Sequence, residues 1–154
     1  MPMRTRRVLG LAAAAALASL ATTSALAVDT VTSRDAPDLT SVRAKIKAKD
    51  YGAALAELKV LADTHQHPDV YSLMGFSLRK SGDYKNALTF YHKALDFDAD
   101  HKGAREYLGE LYVETGELAK AREQLAILTR LCPKGCEERE DLEQALAAVA
   151  PKTN

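Results

Sequence analysis

Tyr71-Ser72-Leu73-Met74-Gly75-Phe76-Ser77-Leu78 is followed 34 residues later by Arg105-Glu106-Tyr107-Leu108-Gly109-Glu110-Leu111-Tyr112. Gly75 pairs with Gly109 and Leu78 with Tyr112; Gly82 with Gly116 and Ala87 with Ala121 keep the same step. Upstream, Asp50, Tyr51 and Ala54 precede Asp83, Tyr84 and Ala87 by 33 residues. Coincident matches at one period of this length are the signature of a repeat architecture, in which each unit buries its apolar face only against its neighbours. The first copy is one residue short, and the His65-Gln66-His67 segment is the expected place for the deletion.

Within each copy the spacing is helical. Tyr71, Met74, Gly75 and Leu78 recur at three and four residues, as do Leu108, Gly109 and Tyr112. Gly75 and Gly109 would let the second helix of each unit approach closely. Gly82 and Gly116 sit where a first helix ends in a left-handed residue. Asp83 and Glu117 suit the positive end of the next helix. Ala87, Tyr91 and Ala94 continue an apolar face, as do Ala121, Leu125 and Leu128, and Asp98 or Asp100 is the expected cap of the helix that follows.

The pattern Tyr71-x2-Met74-Gly75-x2-Leu78, then Ala87-x3-Tyr91, resembles the tetratricopeptide repeat (TPR). Leu108-Gly109-x2-Tyr112, Ala121-x3-Leu125 and Pro133 repeat it, with Arg105 in place of the large aromatic and Ala99 in place of the first proline. The first copy keeps only its second half, through Tyr51, Ala54 and Leu58; its first helix carries Leu39, Val42 and Ile46 but no glycine. A degenerate terminal copy suits a face that meets water. The resemblance implies an all-α fold: a TPR-like α-solenoid of three helix pairs, the first degenerate, plus a C-terminal capping helix. It also implies a concave groove lined by the first helix of each unit, where a peptide or partner helix lies. The matching groove positions are Ser72, Phe76, Arg79, Lys80, Glu106, Glu110 and Val113. Phe76 is the candidate anchor, since a large apolar side chain in a groove can hold a ligand, although it could equally pack on a neighbouring helix of its own chain. TPR domains that clamp a C-terminal carboxylate need Lys and Asn where this chain has Ser72 and Phe76, so such a ligand is not expected.

Outside the repeats the chain divides simply. Residues 1–27 hold Arg4, Arg6 and Arg7, an apolar Ala-rich run and Ala25-Leu26-Ala27, the pattern of a cleavable export signal. Residues 8–28 carry no charge and could just span a bilayer, but their Ala content and the well-placed cleavage pattern favour removal. Thr5-Arg6-Arg7-Val8-Leu9 matches a twin-arginine signal only in part, which favours the general secretory route. No cysteine lies near the cut, against a lipoprotein. A bacterial periplasmic location follows as an expectation. Residues 28–37 read as a flexible linker, 38–136 as repeats (about 38–67, 68–101 and 102–135), and 137–150 as the capping helix, ended by Pro151. In that helix Leu142, Leu146 and Val149 share a face, with Ala145 beside it, and Glu137, Glu138, Glu140 and Asp141 crowd the start, where the helix dipole favours them. The acids are expected to spread over a solvated face.

Cys132 and Cys136 are the only cysteines and flank the turn before the capping helix. In an exported protein such a pair is expected to form a disulfide. A structural staple is the favoured role; redox activity would lack the C-x-x-C spacing, and c-type haem attachment would need a His after Cys136.

The 154 residues are 47% hydrophobic, 27% charged and 6% aromatic, with 21 basic and 21 acidic side chains. Without residues 1–27 the net charge is −3. A weakly acidic body offers no electrostatic reason to bind nucleic acid, and no stable membrane insertion is expected after signal cleavage. His65-x-His67 is an incomplete metal site, and His92 and His101 are expected to face solvent. No nucleophile–base set or phosphate loop is present in the sequence, so neither an enzyme nor a cofactor is expected. The expected function is a protein–protein interaction module that binds a partner protein or peptide. The alternatives are a self-associating structural protein or, with less support, a thiol–disulfide protein using Cys132 and Cys136. The contrast between basic Arg43, Lys45, Lys47 and Lys49 and acidic residues 137–143 would permit head-to-tail contacts between copies, so a homo-oligomer stays possible.

Overall fold

The computed structural model describes residues 35–150; the expected signal, the first seven residues of the expected linker and Pro151 lie outside them. Seven helices follow in order: α1 (Thr40–Lys47), α2 (Tyr51–Thr64), α3 (Pro68–Lys80), α4 (Tyr84–Phe97), α5 (Lys102–Glu114), α6 (Leu118–Leu131) and α7 (Glu137–Val149). They form three successive hairpins and a closing helix. Each hairpin packs on the next, with α2 against α3, α4 against α5, and α7 against both helices of the last pair. The α-solenoid is thus an all-helical stack, and no strand element occurs among the described residues.

The shortened first copy has the cause the spacing suggests. Three residues, 65–67, join α2 to α3, whereas four, 98–101, join α4 to α5. The turn inside each hairpin is closed by one residue at positive φ: Lys49 (60°), Gly82 (84°) and Gly116 (81°). At each turn a backbone N–H reaches back across it, from Asp50 to the Lys45 carbonyl, Asp83 to Leu78 and Glu117 to Tyr112, as in a Schellman stop. Asp50 and Asp83 then cap α2 and α4 by accepting from the Ala53 and Asn86 N–H groups, while Glu117 at the start of α6 makes no side-chain cap bond.

The expected cap of α5 is corrected. His101, not Asp98 or Asp100, caps this helix: its Nδ1 accepts from the Ala104 N–H at 3.0 Å. Asp98 instead holds the turn, accepting from the Asp100 N–H. His67 plays the same capping part for α3, accepting from the Asp69 N–H at 3.2 Å. A neutral imidazole nitrogen accepts as a carboxylate would, and both histidines sit one unit apart in the repeat.

Two apolar clusters run through the stack. One joins Val42, Leu58, Val70, Tyr71 and Met74; the other joins Leu78, Ala87, Tyr91, Leu108 and Tyr112, with half-buried Phe90, Leu95 and Tyr107 shared between them. Tyr71 stacks on Phe97 with ring centroids 5.3 Å apart. At the equivalent position Arg105 does different work. Its guanidinium donates to the Ala99 carbonyl through Nε and Nη2 and to Gln124 Oε1 through Nη1. The two departures from the repeat pattern, Arg105 and Ala99, are therefore partners: hydrogen bonds tie down the loop that aromatic packing secures in the preceding unit.

Leu142 of α7 is fully buried, a burial that contributes roughly 2 kcal/mol. Leu146 is half-buried, but Val149 is 46% exposed, so the apolar face of α7 ends one turn earlier than its sequence suggests. Cys132 and Cys136 stand at disulfide-bonding distance, their sulfurs 2.04 Å apart, across the turn from α6 to α7.

Candidate functional site

The first helices of the hairpins, α1, α3 and α5, share one side of the stack, and α7 extends it beyond α5. Two adjoining clefts open there. The smaller, about 240 Å³, is lined by Arg43, Ile46, Lys47, Leu73, Phe76 and Tyr107. The larger, about 470 Å³, lies among α3, α5, α7 and the α4–α5 loop. Arg43, Leu73 and Tyr107 border both clefts, so they form one continuous surface.

Phe76 is half-buried and lines the smaller cleft. Its ring lies 4.9 Å from that of Tyr107 and 6.2 Å from that of Tyr51. The cationic groups of Arg79 and Lys80 each stand 5.5 Å from its centroid. Phe76 thus packs on its own chain and still borders open space. Offset and tilted aromatic rings of this kind make a rigid apolar platform.

Arg79 is built into the scaffold. Its side chain is 1% exposed, and its Nη1 donates to Glu114 Oε1 at 2.7 Å while Nη2 donates to Glu110. Burial opposes its charge, but Tyr91, Glu110 and Glu114 outweigh that and hold its pKa above the ordinary value. Burial also raises the pKa of the Tyr91 hydroxyl beside it. The pair of carboxylates ties α3 to α5 across the floor of the groove.

Of the other groove positions read from sequence, Ser72 and Glu106 are buried, Glu110 and Val113 half-buried and Lys80 exposed. Ser72 and Glu106 face the larger cleft, with Tyr107 at the boundary. Glu106 is 7% exposed. Burial, reinforced by Glu110, Asp141 and Glu138 and only partly offset by Arg79, pushes its carboxyl up to about 8. It is therefore largely neutral at pH 7. Burial likewise pushes Tyr107 up to about 12.

Two expectations are corrected here. The acids of α7 do not all spread over a solvated face: Glu137, Glu138 and Asp141 line the larger cleft. His101 does not face solvent freely. With Nδ1 accepting from the backbone, its Nε2 carries the proton and donates to Asp69 Oδ1 at 2.9 Å. That bond holds the Asp69 carboxyl below its usual range, against the effect of burial, with smaller help from His67 and Arg43. Among the described residues no three His, Cys, Asp or Glu side chains are placed to hold a metal ion, and no helix is long and apolar enough to cross a membrane.

Sequence reasoning missed Leu73, Tyr107 and the α1 wall. Arg43 and Lys47 are visible in the sequence only as basic surface and Ile46 only as core. Their signal is faint because α1 lacks the glycine that marks the repeat.

Residues 78–134 match the tetratricopeptide repeat family. The fold is similar to that of the Yersinia enterocolitica type III secretion translocator chaperone SycD, at 18% identity and a TM-score of 0.64, over 71% of this chain and 84% of that one. A second structure of SycD, described as an alternative dimer, gives 19% identity and a TM-score of 0.63, over 73% and 92%. No curated protein matches the chain in sequence. The family match covers residues 78–134, and the stack of helix hairpins extends beyond that segment to both ends of the described residues.

Proposed function

We propose that this chain is a non-enzymatic interaction module that holds an extended or helical segment of a partner protein along the α1–α3–α5–α7 face. The observation that carries this reading is the Phe76–Tyr107 platform beside an open cleft, framed by Ile46 and Leu73. Rigid aromatic anchors at the centre of a recess are where binding energy concentrates. The chaperone role of its structural neighbours is compatible with such a surface. We read residues 1–27 as an export signal, so the partner would be met in the bacterial periplasm, with Cys132 and Cys136 oxidised there as a structural staple.

Cross-linking in the native host followed by recovery and identification of the attached proteins tests this. The comparison is Phe76→Ala, with Val60→Ala on the exposed side of α2 as control. A partner retained by the Val60 variant and lost from the Phe76 variant supports the groove. Equal recovery with both variants rejects it. Recovery of linked copies of this chain alone, with a size that grows with concentration, establishes the self-associating alternative instead. Replacing both cysteines by Ser should leave partner recovery intact; its loss in a variant that still folds would revive the thiol–disulfide alternative.

A further inference from the structure

The larger cleft holds two polar groups that the fold leaves without partners. Ser72 is 2% exposed and its Oγ makes no hydrogen bond. Glu106 is 7% exposed and its carboxyl makes no hydrogen bond or ion pair among the described residues. Both line the same cleft. Ser72 Oγ is closed off from the cleft, whereas the Glu106 carboxyl borders it; an unpartnered carboxyl so deeply buried costs free energy that a bound donor would recover. The nearby Arg79 makes no hydrogen bond to either group; its Nη1 and Nη2 go to Glu114 and Glu110.

The rest of the lining says what kind of group is missing. Seven acidic side chains, Glu106 among them, border the cleft, contributed by α3, α5, α7 and the α4–α5 loop. Against them stand Arg43 and Lys102, both exposed side chains free to turn to water, and His101, which is occupied by Asp69. An anionic ligand would meet an excess of acidic side chains. An apolar one would leave Glu106 still unpaired. Metal binding lacks a converging ligand set. A guanidinium or ammonium group meets the conditions: it donates to the Glu106 carboxyl, it is attracted by Glu138 and Asp141, and the Tyr107 ring stands at the cleft's edge.

We propose that this cleft is a specificity subsite for a basic side chain of the bound partner segment, seated beside an apolar side chain in the Phe76–Tyr107 cleft. The shared wall of Leu73 and Tyr107 sets the two subsites next to each other, as successive contacts of one peptide require. The inference rests on the groove reading above and adds the chemistry of the segment it takes. It carries a proton linkage. The groups facing Glu106 are Glu110 on its own helix, Glu138 and Asp141 on α7, and Arg79 on α3; Asp69 of α3 and Arg43 of α1 share the cleft. A cation seated among them favours the ionised Glu106, so binding releases a proton below about pH 8 and tightens as pH rises toward that value.

Calorimetric titration with two blocked peptides tests this: acetyl-Leu-Arg-Phe-Leu-amide and the same peptide with neutral citrulline in place of arginine. The arginine peptide should bind at least about tenfold tighter, the effect of a charge-assisted hydrogen bond. Its binding enthalpy should change between buffers of different ionisation enthalpy at pH 7, reporting the released proton. Glu106→Gln should abolish the proton release and most of the preference; thermal melts confirm that the variant folds. Phe76→Ala should weaken both peptides alike. Equal affinities for the two peptides, or a preference untouched by Glu106→Gln, overturn the basic subsite and leave the groove standing. No binding of either peptide at millimolar concentration overturns the groove reading and the subsite together.

Discussion

Gly75 and Tyr91 are in such close contact that a Cβ at position 75 would fall 2.5 Å from Tyr91 Cε1 and 2.6 Å from Cδ1. The ring is fully buried and has nowhere to retreat. Here α4 packs directly on the backbone of α3. Gly75→Ala should therefore destabilise the protein by about 1–2 kcal/mol, because overpacking of about 1–3 kcal/mol outweighs the gain in helix propensity. Gly52→Ala, at an exposed position whose Cβ would meet only Asp50 Oδ1 at 4.0 Å, should instead stabilise by roughly 0.5 kcal/mol. Denaturant midpoints of the two variants should move in opposite directions; a shift of the same sign would show that the contact at Gly75 is relieved at little cost.

The three hairpin turns differ at one residue in a way that predicts a stabilising change. Lys49 adopts φ 60°, where Gly82 and Gly116 stand in the other units. A side chain in the left-handed region costs about 1–2 kcal/mol, part of which glycine returns through its greater freedom in the unfolded chain. Lys49→Gly should raise stability by about 0.5–1 kcal/mol, read as a higher urea midpoint at unchanged slope. Gly82→Ala should lower it by a similar amount, and there the cost is purely backbone, since nothing lies within 4 Å of the added Cβ.

Glu106 should make the fold less stable as pH rises. Its carboxyl ionises near 8 when folded and near 4.5 when unfolded. Between these values the folded state holds a proton that the unfolded state has lost, so stability is highest below about pH 4.5 and falls until Glu106 ionises in place. Glu106→Gln removes this loss. The thermal midpoint of the variant should exceed that of the parent by on the order of 5 °C at pH 8, with the gap shrinking toward pH 5. Parallel melting profiles across this range would show that Glu106 is already ionised in the folded protein.

Joining Cys132 to Cys136 closes a very short loop, for which chain entropy predicts only about 2 kcal/mol of stabilisation. The Cys132→Ser, Cys136→Ser double variant should keep its helical signal and melt at a lower temperature. Protection of backbone amides against hydrogen exchange should fall in α7 more than in α3 and α4, because the link anchors only the start of α7. Uniform loss of protection would mean that α7 is part of the same cooperative unit as the rest of the stack.

Much of this architecture is written locally. The 34-residue step, the 33-residue step of the first copy and the positions of Gly82 and Gly116 place the helices, and even the missing residue falls in the loop where the spacing locates it. The face of Ala87, Tyr91 and Ala94 is buried as its period requires. The functional surface is less legible. Phe76 stands out in the sequence, yet nothing near it announces Tyr107 or Ile46 as companions. His67 and His101 read as unremarkable loop residues because imidazole capping leaves no distinctive pattern, whereas Asp50 and Asp83 are recognisable from the ordinary preference for Asp at such positions.

What the sequence determined by itself is what depends on neighbours along the chain: helical period, turn stereochemistry and the register of one repeat on the next. What only the tertiary structure decided is which distant groups share a space. Gly109 receives Leu142 of α7, its hypothetical Cβ 2.4 Å from Leu142 Cδ2, where Gly75 receives Tyr91 from its own hairpin. Arg79 is drawn inward by two carboxylates of the next unit. The acids of α7, which look like solvated surface when counted along one helix, meet Glu106 and Ser72 across a common cleft. Electrostatic energy and desolvation depend on separation in space, and the stacking of helix pairs sets that separation without leaving any spacing in the sequence to record it.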